Sequence, residues 1–257
     1  MPAFEITLKK ALRSAGALVL EKFRTQFTIE HKDGINNLVT EVDKASELLI
    51  RNIIREDFPD HGIIGEEFEQ KESRGQYNWV IDPIDGTANF AHGIPICATS
   101  IGLIAGDEIL MGGVYNPMMN EFFFAEKGRG AFLNDQPVKV SENADFQKAF
   151  LVTGFPYHLP EGKDITQPFR QLVTMGLPVR RFGAAAIDLC WVACGRLDGF
   201  WEWNLQPWDI AAGYLILAEA GGRVTDFQGN QGSVWDKETL ATNGKIHDAL
   251  RLAINQT

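Results

Sequence analysis

The fold of this chain is decided by the stretch Trp79-Val80-Ile81-Asp82-Pro83-Ile84-Asp85-Gly86-Thr87-Ala88-Asn89-Phe90. Its apolar start, with Tyr77 and Asn78 before it, predicts a buried strand. That strand is expected to stop at Asp82, because Pro83 cannot donate a hydrogen bond to a sheet ladder. Thr87 is expected to open a helix, whose free N–H groups form an anion-binding site. The stretch therefore predicts a ligand site at the end of a strand.

Two carboxylates, Asp82 and Asp85, lie in the turn after this strand. Next to an anion site they would repel a phosphate, and a hard divalent cation between them resolves the conflict. Mg²⁺ prefers oxygen ligands, keeps several waters and commonly bridges to substrate phosphates. The alternative is a plain surface turn, in which Asp, Pro and Gly are common. The two aspartates alone leave that alternative favoured.

Two further acidic strings change this balance. Gly65-Glu66-Glu67 follows the apolar pair Ile63-Ile64, so an acid again stands at the end of a strand. Trp208-Asp209-Ile210-Ala211-Ala212-Gly213 places an acid in the first turn of a helix rich in small residues. Alone, Asp209 is most simply a helix-capping acid and Glu66 a solvated loop residue. Together with Asp82 and Asp85, they suggest one acidic site assembled from distant segments.

These three strings, with Leu38-Val39-Thr40-Glu41-Val42-Asp43, resemble the inositol monophosphatase family of Mg²⁺-dependent, lithium-sensitive phosphatases. The order of the motifs matches from residue 32 to residue 213, and the length fits the whole chain. The resemblance implies an α/β (α+β) fold, a layered α-β-α-β-α sandwich of the inositol monophosphatase and sugar phosphatase type. We expect one catalytic domain over 1–257, with sub-halves of about 1–145 and 146–257.

The resemblance also implies a metal site of two or three Mg²⁺ ions. Its ligands would be Glu66, Asp82, the carbonyl of Ile84, Asp85 and Asp209. Asp82 would bridge two ions, and Glu67 would lie just behind the ligands.

The remaining roles that the resemblance implies concern water and substrate. Asp43 and Thr87 would orient and activate the attacking water, and Lys32 would face the mouth of the site. The backbone N–H groups of Gly86 and Thr87 would hold the phosphate. The positions expected to meet the hydroxyl groups of the substrate are Ala186 and Glu202.

The expected reaction is hydrolysis of inositol-1-phosphate, or a similar small polyol phosphate, by a water that Mg²⁺ activates. Histidinol-phosphate and fructose-1,6-bisphosphate hydrolysis are alternatives on the same scaffold. A non-catalytic binding or regulatory protein is an alternative from a different class. Arg180 and Arg181 could bind a second phosphate, although an ion pair with surface acids is slightly preferred.

Composition sets further limits on partners and location. The 257 residues carry a net charge of −10, which argues against nucleic acid or an anionic membrane as partner. No apolar run is long enough to span a bilayer. The 3 cysteines and the charged N-terminal segment indicate a cytoplasmic protein without disulfides or signal peptide. The family resemblance makes a homodimer the expected assembly.

The other elements follow from periodicity and turn residues. Apolar residues from Phe4 to Phe23 predict a first helix, and 31–37 a loop. Thr40 is expected to cap a second helix that ends at Phe58-Pro59. The buried face of this helix is predicted to hold Leu48, Leu49, Ile53 and Ile54. A run of strands from Cys97 to Leu133 is expected before alternating strands and helices.

Overall fold

A computed structural model describes residues 2–32, 37–70, 75–156 and 164–255. The helices of the described residues are α1 (Pro2–Lys22), α2 (Glu41–Asp57), α3 (Thr87–Ala91), α4 (Gln167–Thr174), α5 (Ala185–Ala193), α6 (Pro207–Glu219) and α7 (His247–Asn255). The strands of the first half are β1 (Ile29–His31), β2 (Leu38–Thr40), β3 (Gly62–Gly65), β4 (Tyr77–Asp85), β5 (Ala98–Ala105), β6 (Glu108–Asn116), β7 (Glu121–Glu126), β8 (Ala131–Leu133) and β9 (Gln136–Val138). The second half contains β10 (Leu151–Thr153), β11 (Val179–Arg180), β12 (Gly199–Trp203), β13 (Arg223–Thr225) and β14 (Glu238–Thr242).

Two sheets and three helix layers form the predicted α-β-α-β-α sandwich. The first sheet has the strand order β3-β4-β5-β6-β7-β8-β9, in which only β3 and β4 pair in parallel. The second has the order β11-β10-β12-β14-β13. Helices α1 and α2 cover the outer face of the first sheet, and α4 and α7 cover the second. Helices α5 and α6 lie between the two sheets.

The middle helix layer is apolar on nearly all sides because both of its faces are covered by sheets. Every residue of α6 from Ile210 to Leu217 is buried. This helix approaches the first sheet closely over strand glycines: a Cβ on Gly112 would lie 2.8 Å from the Ala212 carbonyl oxygen. A Cβ on Gly102 would lie 3.0 Å from the Ala211 side chain. The small residues after Asp209 therefore allow α6 to pack closely against the first sheet.

The structure corrects the predicted end of β4. The strand runs on through Pro83 to Asp85, with a register shift against β5 between Asp82 and Asp85. Because Pro83 lies within this irregularity, it has no ladder partner to satisfy. Asp82 and Asp85 pair with Ser100 and Ala98 on either side of this shift, and Pro83 and Ile84 between them have no ladder partner in β5.

The predicted buried face of α2 is partly wrong. Leu48 is 49% exposed, whereas Ile53 and Ile54 are buried as expected. The cap at Thr40 and the end of the helix before Phe58 are confirmed. Sequence reasoning also missed β14, the central partner of β12 and β13. The predicted loop over 31–37 begins later than expected, because His31 belongs to β1, and residues 33–36 lie outside the described residues.

The core extends across both halves of the chain. One hydrophobic cluster contains Val80 and Val114 from the first sheet and Phe200 and Ala241 from the second, joined through α5 and α6. No helix among the described residues is long and apolar enough to cross a membrane.

Candidate active site

The acidic strings meet in one cavity at the end of β3 and β4. Because these strands are parallel neighbours, with Gly65 opposite Ile81, their carboxyl ends place Glu66 next to Asp82. The first turn of α6 contributes Asp209 from the middle layer. Predicted site residues that line the cavity are Glu66, Asp82, Ile84, Asp85, Gly86, Thr87, Glu202 and Asp209.

Asp85 is held by the N-terminus of α5. Its Oδ1 accepts the amide of Ala185 at 3.0 Å, and its Oδ2 accepts those of Ala186 at 2.9 Å and Ile187 at 3.4 Å. A carboxylate is favoured there because the first amides of a helix lack intrahelical acceptors. Burial raises the pKa of Asp85 to about 7, although these hydrogen bonds act in the opposite direction.

Asp43 joins the cap of α2 to the first residue of α3. Its Oδ2 accepts the Thr40 amide at 2.8 Å and the Thr40 hydroxyl at 2.5 Å. Its Oδ1 lies 3.0 Å from the Thr87 hydroxyl, which is equally far from the Ile84 carbonyl oxygen. Burial raises the pKa of Asp43 to about 6, against the hydrogen bonds from Thr40 and Thr87. The predicted pair Asp43 and Thr87 is thus in direct contact.

Lys32 lies at the edge of the site and bridges two acids. Its Nζ donates to Glu66 Oε1 at 2.7 Å and to Glu67 Oε1 at 2.5 Å. Burial lowers the pKa of Lys32, but the charges and hydrogen bonds of both glutamates outweigh it and raise the pKa overall. Burial raises the pKa of Glu67 to about 7 despite this contact. Lys32 therefore lies beside Glu66, a predicted metal ligand, and Glu67, which was predicted to lie just behind the ligands.

The deepest carboxylates of the cavity destabilise one another's charge. Burial raises the pKa of Asp82 well above its usual range, and the charges of Glu66, Asp85 and Asp209 add to this effect. The pKa of Asp209 is raised in the same way, mainly by burial and by Glu66. Such mutual repulsion in a buried site is relieved by a bound cation.

The donor set fits hard divalent cations, although the described side chains are not yet gathered around one ion. No three His, Cys, Asp or Glu residues of the described ranges stand close enough together to hold a metal ion. Two of the predicted ligands are engaged elsewhere, Glu66 by Lys32 and Asp85 by α5. The lining is nevertheless rich in carboxylate oxygen, the ligand type that Mg²⁺ prefers.

The predicted phosphate cradle is built from Gly86 and Thr87. Gly86 has a φ of 84° and caps α3, and a Cβ there would lie 2.9 Å from the Ile96 carbonyl oxygen. A side chain is therefore excluded on both conformational and steric grounds. The helix begins at Thr87, at the end of α3 that borders the cavity. Its first amides have no acceptors within the helix.

The predicted substrate contacts are only partly at the cavity. Glu202 lines it, and burial raises the pKa of Glu202 to about 8, with the charge of Asp209 acting in the same direction. Gly154 gives this carboxyl its room, since a Cβ there would lie 2.0 Å from Glu202 Oε2. Ala186 is instead buried behind Asp85, and Ala184 and Ala185 form this part of the cavity wall.

Several residues around the site were not predicted from the sequence. Ser46 donates to the Pro83 carbonyl oxygen at 3.3 Å, and Glu47 accepts the Glu67 amide at 2.7 Å. Arg51 pairs with Glu47 at 2.7 Å. The available signal was the four-residue spacing of Asp43, Glu47 and Arg51, which places three charged side chains on one face of α2.

Comparison with known proteins identifies relatives over the full length. A family model described as the inositol monophosphatase family matches residues 3–257. An inositol-1-monophosphatase from Synechocystis is 43% identical over 250 residues, covering 96% of this chain and 87% of the relative. A fructose-1,6-bisphosphatase/inositol-1-monophosphatase from Thermotoga maritima is 38% identical, covering 96% of this chain and 94% of the relative. The solved inositol monophosphatase from Anabaena superimposes with a TM-score of 0.87 and 39% identity, covering 98% of this chain and 94% of that structure.

Proposed function

Because the chain belongs to the inositol monophosphatase family, we propose that it hydrolyses inositol-1-phosphate or a similar small polyol phosphate with bound Mg²⁺. The family establishes a phosphoric monoester hydrolase, and metal dependence is a property of the family. The observation that most supports the proposal is one cavity lined by Glu66, Asp82, Asp85, Asp209 and Thr87, whose hydroxyl lies 3.0 Å from Asp43 Oδ1. The products are the alcohol and inorganic phosphate.

The metal ligands in this proposal are Glu66, Asp82, Asp85, Asp209 and the carbonyl of Ile84. When bound, two or three Mg²⁺ ions supply the positive charge that acidifies water and stabilises the leaving oxygen. Lys32 releases Glu66 for this role while staying in contact with Glu67. With the ions bound, the acids of the site would be neutralised, so that the site attracts a phosphate ester instead of repelling it.

Asp43 and Thr87 orient and activate the attacking water. The Thr87 hydroxyl donates to Asp43 Oδ1, which leaves its own lone pair directed at a water in the cavity. As the water attacks phosphorus, its proton passes to the Thr87 oxygen and the Thr87 proton passes to Asp43, while the ester P–O bond breaks. The departing alkoxide takes a proton from solvent water and leaves as the alcohol. The amides of Gly86 and Thr87 bind the phosphoryl oxygens at the start of α3.

The other end of the substrate meets Glu202. This buried carboxyl lines the cavity and carries acceptors for two neighbouring hydroxyl groups, which suits a cyclitol or sugar. Ala185 also lines the cavity. It takes the place on the cavity wall that the sequence analysis assigned to Ala186. The substrate is thus held between the metal ligands and Glu202.

A turnover panel at fixed Mg²⁺ tests this function. It compares inositol-1-phosphate, histidinol phosphate, fructose-1,6-bisphosphate and adenosine bisphosphate, each with wild type and Thr87→Ala. We expect the polyol phosphate to be hydrolysed fastest and Thr87→Ala to lower kcat about a hundred-fold. The matched control is Thr174→Ala, because Thr174 lies exposed in α4 and should not affect turnover. Absence of hydrolysis of every ester would refute the proposal and favour a binding protein.

Fructose-1,6-bisphosphate is the second candidate because of Arg181. Arg181 lines the cavity, and its charge acts on the buried carboxyls of Glu202 and Asp188. A guanidinium at this place can also bind a second phosphate. The Thermotoga maritima relative bears both activities in its name. Faster hydrolysis of the bisphosphate in the panel would select this alternative.

Three further parts of the proposal rest on the family. We propose a homodimer in the cytoplasm, inhibited by lithium. Light scattering measures the mass of the assembly against 28.6 kDa for one chain. Adding lithium to the turnover panel tests the inhibition, and turnover that lithium does not change would remove that part alone.

A further inference from the structure

Helix α2 directs an unusual polar face towards the site. Four of its polar side chains, Asp43, Ser46, Glu47 and Arg51, are at most 3% exposed. Ser46 follows Asp43 by three residues, and Asp43, Glu47 and Arg51 are four residues apart, so all four lie on one side of the helix. Charged groups are rarely buried to this degree without a partner. Each of them therefore needs a contact, and the contacts lead to segments that carry the acids of the cavity.

Glu47 fixes the segment that follows β3. Its Oε2 accepts the Glu67 amide at 2.7 Å, and its Oε1 accepts Arg51 Nε at the same distance. A Cβ on Gly65 would lie 2.1 Å from Oε1, so glycine is required for Glu47 to reach the chain. The backbone on both sides of Glu66 is thus in contact with one buried carboxylate.

Arg51 extends the same contact by two residues. Its NH1 donates to the Glu69 carbonyl oxygen and its NH2 to that of Phe68, both at 3.2 Å. The guanidinium also lies 5.6 Å from the Phe68 ring. The planar fork of arginine is needed for this geometry, because one lysine ammonium cannot reach Glu47 and both carbonyls in the same plane.

The Glu66 side chain itself has a looser environment. It belongs to no helix or strand, and its side chain is 22% exposed, with Lys32 as its ion-pair partner among the described residues. By contrast, Asp82 and Asp85 lie in β4, and Asp209 lies in α6. The backbone direction at Glu66 must therefore be set by the contacts of its neighbours.

We propose that Glu47 and Arg51 are positioning residues that orient Glu66 for metal binding. The inference rests on the proposed metal-dependent function and deepens it. Neither side chain lines the cavity, so they act through the backbone of 65–69. Residues that orient metal ligands without touching the ion typically change metal affinity by about 10- to 100-fold.

The main test is Arg51→Lys, which keeps the charge beside Glu47 but loses the fork to Phe68 and Glu69. The matched control is Arg55→Lys, the same change on the exposed face of α2 one turn further on. Titration calorimetry measures Mg²⁺ binding to each protein without substrate. We expect about tenfold weaker binding for Arg51→Lys and wild-type binding for Arg55→Lys. The Mg²⁺ concentration for half-maximal turnover should rise similarly, with little change in the KM for substrate.

A second variant, measured by hydrogen exchange, distinguishes a loosened segment from a misfolded protein. Glu47→Asp keeps the charge but is one methylene too short to reach both the Glu67 amide and Arg51. Hydrogen exchange of the Glu67 amide without metal should accelerate in both variants while the exchange of β4 amides stays slow. That result would link the looser segment to weaker Mg²⁺ binding in a folded protein.

The outcomes separate this inference from the proposed function. If wild type itself binds no Mg²⁺, the proposed function fails. If wild type binds Mg²⁺ and both variants bind it equally well, with only a lower melting temperature, the ion pair is purely structural and the positioning role is refuted.

Discussion

Two buried acids, Asp198 and Asp82, differ in the groups that surround their carboxylates. Asp198 accepts the Ser141 hydroxyl on Oδ1, and the Asn143 amide at 3.1 Å and the Phe150 backbone amide at 2.8 Å on Oδ2. Asp82 accepts the Ile84 amide at 3.0 Å; burial raises its pKa, and the charges of nearby acids, Glu66 first, raise it further. The first acid ties strands and loops together, whereas the second is surrounded by like charge.

The difference teaches how to recognise a functional acid in this chain. A buried carboxylate that serves structure is supplied with donors, because an unpaired one costs stability. A buried carboxylate that is left among other acids needs a partner that the protein chain does not supply. Its removal should therefore affect activity far more than stability, and the reverse should hold for Asp198.

The largest expected effect is on activity, for Asp85→Asn. Loss of one ligand charge should lower kcat about a thousand-fold, equivalent to about 4 kcal/mol. The fold should persist, because relief of repulsion offsets the loss of an acceptor for the α5 amides. Steady-state turnover with Mg²⁺ and the melting temperature without it measure the two effects. Near-normal turnover would contradict the ligand assignment.

The next effect is on stability, for Asp198→Ala. Three buried donors lose their acceptor, so the free energy of unfolding should fall by about 2–4 kcal/mol. Turnover per folded molecule should stay within about twofold of wild type. Urea denaturation measures the loss, and Asp60→Ala, at an exposed acid, is the control with a change of about 0.5 kcal/mol or less. A large loss of turnover with unchanged stability would contradict the structural role assigned to Asp198.

The smallest effect is the pH dependence of stability without metal. Burial raises the pKa of Asp85 to about 7 and that of Glu202 to about 8, above the values of about 4 in unfolded chains. The folded state then holds more protons than the unfolded state, so stability falls as pH rises. Between about pH 6.5 and 8, where both groups lose their protons in the folded protein, we expect a loss of about 2 kcal/mol, or about 4–8 °C in melting temperature.

Mg²⁺ should reduce this slope, because metal replaces protons on the carboxylates. His247 does not obscure the measurement, since burial holds its pKa at about 4 and unfolded histidine titrates near 6.5. Its own effect is a loss of stability as pH falls below about 6.5. A melting temperature that stays flat across the window, with and without Mg²⁺, would contradict the repulsion among the site acids.

The acids of the site and the layered fold followed from local patterns and motif resemblance. Asp82, Asp85 and Asp209 stand next to turn and helix-start residues whose behaviour depends on near neighbours in the chain. The capping role of Thr40 and Asp43 was predictable for the same reason. The alternation of strands and helices in the second half was predictable for the same reason.

Other features depended on distant partners. Leu48 is exposed because the inward side of α2 carries buried polar residues, such as Glu47 and Arg51, beside buried Ile50 and Ile54. The contacts of these polar residues with the segment after β3 are long-range. Ala186 lies behind Asp85 because the α5 N-terminus caps a carboxylate 101 residues earlier in the chain. The strand β14 was missed because its pairing with β12 and β13 is long-range.

By itself, the sequence determined which residues carry the chemistry: carboxylates at strand ends, a threonine at a helix start and small residues where α6 meets the sheet. These follow from the chemistry of single residues and from spacing along the chain. Only the tertiary structure decided which acids are supplied with donors and which are left to repel one another. Hydrogen bonds and burial join residues far apart in sequence, so the ionisation of each acid is a property of the folded protein.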